Sequence, residues 1–153
     1  MPDSFFPTLP ADAQEPEISF YVEDVEQPIP DFTMLTSWIE KVIHHHQGEL
    51  GQLQYIFCSD DYLHQLNVAY LDHDTLTDII TFPYADPPVV SGDLYISTER
   101  VADNAAERNL PFLTELQRVI IHGVLHLCGY GDKTPAEADK MRALEEEALA
   151  MLG

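Results

Sequence analysis

Between Pro111 and Leu127 the chain carries an apolar helical stripe of Leu113, Leu116, Ile120, Ile121, Val124 and Leu127, with His122 and His126 on a different stripe. Apolar residues at that period call for a helix packed deeply against the rest of the protein. Histidines four residues apart share one helix face, a turn from each other. The fold must therefore bury this helix and still leave two imidazoles beside a cleft. A pair so placed can bind one Zn²⁺, and a third oxygen or nitrogen ligand leaves the fourth position open, as catalytic rather than structural zinc requires. Gly129, just past Cys128, suits the left-handed residue that ends a helix. With Tyr130-Gly131 it lets the chain fold back and aim Asp132 at the same point. The expected metal ligands are His122, His126 and Asp132, holding one zinc per chain. Two buried histidines bonded to neighbours are the plainer alternative, and the glycine turn followed by a carboxylate favours ligation. Gly123, worth ~1 kcal/mol less than Ala in a helix interior, suggests that another backbone comes close. It also stands where HExxH zinc proteases place their general base, which disfavours a metallopeptidase.

The remaining pattern fits one domain. Residues 1–17, with Pro2, Pro7, Pro10 and Pro16, read as a flexible proline-rich tail, and residues 18–153 as a single metallo-hydrolase domain. Strands are expected over Ile18–Val22, Leu53–Cys58, Thr77–Phe82 and Gly92–Ser97, the last two pairing as a wide hairpin across Pro87-Pro88. A helix starts after Asp31 as N-cap and runs through His46 to a stop at Gly48. Others follow over residues 59–70, 98–108, 111–127 and 135–149, the last opened by the capping box Thr134-Pro135-Ala136-Glu137. The fold class is α+β: a small mixed sheet of about four strands with about five helices. Cys58 and Cys128 are too few for a disulfide framework, no apolar run approaches a membrane span, and no signal-peptide pattern opens the chain, so a cytoplasmic protein is expected. With 27 acidic residues against 7 Lys and Arg, the net charge is −20. On its own that speaks against a nucleic-acid partner. It fits either a high-salt interior, where repulsion is screened, or simply an acidic soluble protein.

The run His122-Gly123-Val124-Leu125-His126-Leu127-Cys128-Gly129-Tyr130, then Gly131-Asp132-Lys133, resembles the HGxLHLxGYDH hallmark of the YbeY family of bacterial metal-dependent endoribonucleases. Leu66-Asn67, Tyr70, Thr77-Asp78-Ile79-Ile80-Thr81-Phe82-Pro83 and Gly92-Asp93-Leu94 match upstream, so the resemblance covers essentially all but the tail. It implies a single zinc in a cleft and hydrolysis of single-stranded RNA. It further implies a role in maturing the 3′ end of small-subunit ribosomal RNA and in ribosome quality control, with no membrane or DNA partner. Two positions depart from the family. Asp132 stands where a histidine is usual, making the site one charge more negative, and Leu71 replaces the arginine that follows Tyr70 and serves substrate phosphate. The second departure keeps open an alternative: a ribosome-assembly or RNA-binding factor that retains the metal and little catalysis.

Zinc lowers the pKa of bound water to ~7 and polarises phosphoryl oxygens, so no side chain is required as nucleophile. Candidates for the remaining catalytic work are Asp93, His73, Lys133 and Arg118. Arg118, one turn before His122, and Lys133 would offset phosphate charge, with a plain surface role equally open for Arg118. His73 sits in the acidic loop Asp72-His73-Asp74, and Asp93 either nears the cleft or caps a strand turn. Asp78 is expected to organise loop backbone. His44-His45-His46 end a helix but, being adjacent, point apart and make a shared metal site improbable. Glu145-Glu146-Glu147 reads as a solvated face, and Cys128 as a small packing group.

Overall fold

The computed structural model describes residues 15–71 and 77–152. His73 and most of the expected tail lie outside these residues, as does the side chain of Leu71. The elements are β1 (Glu17–Val22), α1 (Thr33–His45), β2 (Glu49–Cys58), α2 (Asp60–Leu71), β3 (Ile79–Pro83), β4 (Val89–Ser97), α3 (Thr98–Glu107), α4 (Phe112–Leu127) and α5 (Pro135–Ala150). The four strands form one sheet in the order β1-β2-β4-β3. β1 and β4 run parallel to β2, and β3 pairs antiparallel with β4, as the hairpin expectation required. The α+β class with a mixed four-stranded sheet and five helices therefore holds among the described residues.

Alternation along the strands divides the protein into layers. Leu53, Tyr55 and Phe57 of β2 and Leu94 and Ile96 of β4 are fully buried in the main core with Ile39, Ile43, Leu116, Ile120, Ile121 and Leu125. Cys58, Leu63 and Ile80 form a smaller cluster with Tyr62 of α2 and Tyr95 of β4. Two buried hydrogen bonds tie helices to the core where apolar packing alone would leave polar atoms unpaired. The Tyr55 hydroxyl donates to the Ile120 carbonyl (3.1 Å), and Trp38 Nε1 donates to the Ala148 carbonyl (2.7 Å), joining α1 to α5.

Several local expectations shift. Phe32, not Asp31, is the N-cap of α1, with Asp31 one step earlier accepting from the Thr33 amide at 2.9 Å. That helix ends at His45, and the left-handed residue after it is Gln47 (φ 61°), while the Gly48 amide returns to the Ile43 carbonyl (2.8 Å). β2 starts at Glu49 and β4 at Val89, earlier than apolar alternation suggested, because they pair through an irregular register between Leu50 and Leu53. The Thr134–Glu137 capping box forms as read, and Gly129 takes φ 109° after α4.

Gly123 is where α4 lies tightest on the sheet, but the close neighbours are side chains, not backbone. A Cβ there would overlap Leu94 Cδ2 and come within 2.9 Å of Ile79 Cδ1. Leu94 is fully buried in the core, so relieving the overlap displaces packed neighbours. Overpacking of this kind costs ~1–3 kcal/mol, against ~1 kcal/mol that alanine contributes as a better helix former. Gly123→Ala is therefore expected to destabilise the protein in urea unfolding, by up to about 2 kcal/mol net. Unchanged or raised stability would show that α4 can rise off β4 without loss.

Candidate metal centre

His122 and His126 emerge from α4 with ring centroids 4.5 Å apart and planes at 87°. Each ring is held by its Nδ1. His122 Nδ1 lies 2.6 Å from Glu145 Oε2 on α5, and His126 Nδ1 lies 2.9 Å from the Tyr130 carbonyl. Both partners accept, so each Nδ1 donates a proton and each Nε2 is the ring atom left to face Asp132. The turn at Gly129 returns the chain so that Asp132 Oδ2 stands 3.4 Å from both Nε2 atoms. Ligand atoms of the three residues lie within 4.8 Å of one another. Donors on a tetrahedral zinc with bonds of ~2.0–2.1 Å are separated by about 3.3 Å, so the Asp132 spacing suits such an ion without rearrangement.

Behind His122 runs an ionic chain that the sequence did not disclose. Glu115 is fully buried and Glu145 is 3% exposed, against the expectation that residues 145–147 form a solvated face. Arg118 lies between them. Its Nη1 donates to Glu145 Oε1 (3.0 Å), its Nε to Glu115 Oε1 (3.1 Å), and its Nη2 to Glu115 Oε2. Arg108 Nη1 adds a bond to Glu115 Oε2 at 2.9 Å. Burial alone would raise the Glu145 pKa, but the bonds from His122 and Arg118 outweigh it and hold the carboxyl below its ordinary value. Arg118 is therefore not a plain surface residue: each of its three guanidinium nitrogens already meets a carboxylate.

The centre opens into two grooves. One of about 720 Å³ lies between α4 and α5, reaching Thr114, Met141 and Leu149. The other, about 730 Å³, runs past Asn67, Asp78, Thr81, His126 and Lys133. Arg108, Arg118, His122 and Asp132 line both. Lys133 thus lies at the cleft, with an exposed side chain. Asp93 does not line either groove. Its neighbour Leu94 faces α4 at Gly123, so strand alternation turns Asp93 to the opposite face. There its Oδ2 accepts from the Tyr84 hydroxyl (2.5 Å), a bond that pushes that phenol up to about 12. Cys128 is half-buried against the core, and burial raises its thiol to about 11.

Asp78 is closer to the centre than its loop role suggested. Its carbonyl accepts the Ser97 amide at the end of β4 (3.0 Å), while its carboxyl lies in the second groove near His122 and Arg118. Burial raises its pKa above 3.8, and the nearby His122 and Arg118 only partly oppose this. An acid whose pKa rises on folding is a stability loss that grows as pH climbs from 3.8 through the raised value and stays in force above it. Asp78→Asn is accordingly expected to raise the unfolding midpoint of chelator-treated protein at pH 7 and to leave it nearly unchanged at pH 3. An equal gain at both pH values would assign the effect to packing, not ionisation.

The model of a family described as Endoribonuclease YbeY matches residues 19–153. A protein of that name from Flavobacterium johnsoniae is 52% identical over 116 residues, covering 76% of this chain and 84% of its own length. Another from Amoebophilus asiaticus is 48% identical over 136 residues, covering 88% and 91%. The solution structure of a Thermotoga maritima protein superposes with a TM-score of 0.63 at 29% identity, covering 88% of this chain and 90% of that one. On a family match spanning the whole folded region and identity near one half, the chain belongs to the Endoribonuclease YbeY family.

Proposed function

We propose that this protein is a zinc-dependent, single-strand-specific endoribonuclease that matures the 3′ end of small-subunit ribosomal RNA and takes part in ribosome quality control in the cytoplasm. Family membership supports the reaction class. The observation that carries the metal dependence is the pair of Nε2 lone pairs facing one carboxylate oxygen at equal distances of 3.4 Å. In this reading His122, His126 and Asp132 are the ligands. Zinc held by them would supply a Lewis acid for the phosphodiester and offset its charge.

The chain's own groups orient and position. Glu145 and the Tyr130 carbonyl lock both imidazoles in the tautomer that presents Nε2. The grooves meeting at His122 and Asp132 give an extended single strand a path on either side of the centre. Lys133, exposed at the cleft, and Arg108, half exposed and lining both grooves, are the cations available to a phosphate, since Arg118 is engaged with Glu115 and Glu145. A second reading rests on one observation, Leu71 after Tyr70. With no arginine at that position, the protein would serve as a ribosome-assembly factor that keeps its metal and cleaves weakly. No helix among the described residues is long and apolar enough to cross a membrane.

Zinc-loaded protein is expected to cleave single-stranded RNA, and His126→Ala to reduce cleavage at least ~100-fold, with Asp132→His retaining zinc. Equal cleavage by His126→Ala would refute the enzyme assignment for this centre. Zinc binding without cleavage at any salt from low to molar concentration would select the assembly factor. Glu145→Gln is expected to weaken zinc binding ~10–100-fold in a chelator competition, the usual effect of losing a carboxylate behind a histidine ligand. Affinity equal to the parent protein's would remove Glu145 from the ligand-orienting role.

A further inference from the structure

A second group of the same donor chemistry lies across the protein surface, where α1 ends against α5. His45 closes α1, and its Nε2 is 3.2 Å from Glu147 Oε1. His46 follows as the C-cap at φ −94°, ψ 15°, and Gln47 turns left-handed. The two imidazoles, expected to diverge as helix neighbours, instead meet edge to face at 5.1 Å and 89°. Donor atoms of His45, His46 and Glu147 all lie within 4.8 Å of one another. The His46 ring is fixed from behind: the Tyr130 hydroxyl lies 3.1 Å from its Nδ1, and the rings pack edge to face at 5.3 Å.

We propose that His45, His46 and Glu147 form a second site for a divalent transition-metal cation, of the class of Zn²⁺, that two imidazoles and a carboxylate select. The donor set suits that class over Mg²⁺ or Ca²⁺, which favour all-oxygen ligation. Two fields add to it. The C-terminus of α1 presents the negative end of its dipole to these residues, and the chain's net charge of −20 draws cations to its surface. His45 and Glu147 are 49% and 51% exposed at their side chains, so an ion enters directly and keeps water in its remaining positions. Such a site exchanges its metal readily, unlike the part-buried centre at His122. Tyr130 stands between the two, its hydroxyl at His46 and its carbonyl at His126.

The test is equilibrium dialysis of the full chain against micromolar Zn²⁺, with metal counted by elemental analysis. The expected result is two equivalents for the parent protein and one for the His45→Ala/Glu147→Gln double variant. His126→Ala is expected to retain the surface equivalent, which separates failure of this site from failure of the proposed catalytic one. His44→Ala, which alters the neighbouring imidazole outside the cluster, is expected to retain both. A parent stoichiometry of one that the double variant leaves intact would overturn the proposal. So would a second equivalent that survives the double variant or disappears in His44→Ala, since either would mark non-specific histidine binding.

Discussion

The centre is built on a carboxylate almost wholly withdrawn from water. Glu145 sits at 3% exposure between Arg118 and His122, and a charge in that position is costly unless its oxygens are occupied. Arg118 meets one oxygen and His122 Nδ1 the other. Arg118 in turn spans to Glu115, itself fully buried and also bonded by Arg108. The consequence is geometric more than energetic, since a buried ion pair often stabilises no better than an apolar pair of equal volume. The chain of charges clamps α5 to α4 and sets the tautomer of His122, so that the lone pair of Nε2 faces the cleft.

Much of this was legible in the sequence because it is local. The four-residue spacing of His122 and His126, the glycine turn and the capping box at Thr134 each follow from backbone geometry within a few residues. The strands were recognisable from alternation, and the chain resembled its family through one continuous run. Glu145 was not legible, for it stands in a run of three glutamates that reads as solvent-facing, while its partner is 27 residues away in sequence. The available signal was helical register: Met141 and Ala148, four before and three after, are both buried and place Glu145 on the inner stripe. Glu115 and Arg118 carried a similar hint at seven and four residues before His122. Asp93, left open between the cleft and a strand-turn cap, takes neither place: it stands within β4, where alternation with buried Leu94 turns it from the grooves.

The charge of the chain sharpens the role of a metal. With −20 overall and Arg118 held by carboxylates, the protein has little positive potential of its own to offer a polyanion. Asp132 in place of a histidine deepens that deficit at the centre itself. A divalent cation there reverses the local sign, and screening at high ionic strength would remove the long-range repulsion while sparing a contact of a few ångströms.

The most direct measurement is diffraction at the zinc absorption edge from crystals grown with one equivalent of zinc. The account predicts a dominant anomalous peak ~2.0–2.1 Å from Nε2 of both His122 and His126, with an Asp132 oxygen at ~2.0–2.2 Å. A peak elsewhere, with the His122–His126 pair holding no metal, would contradict it.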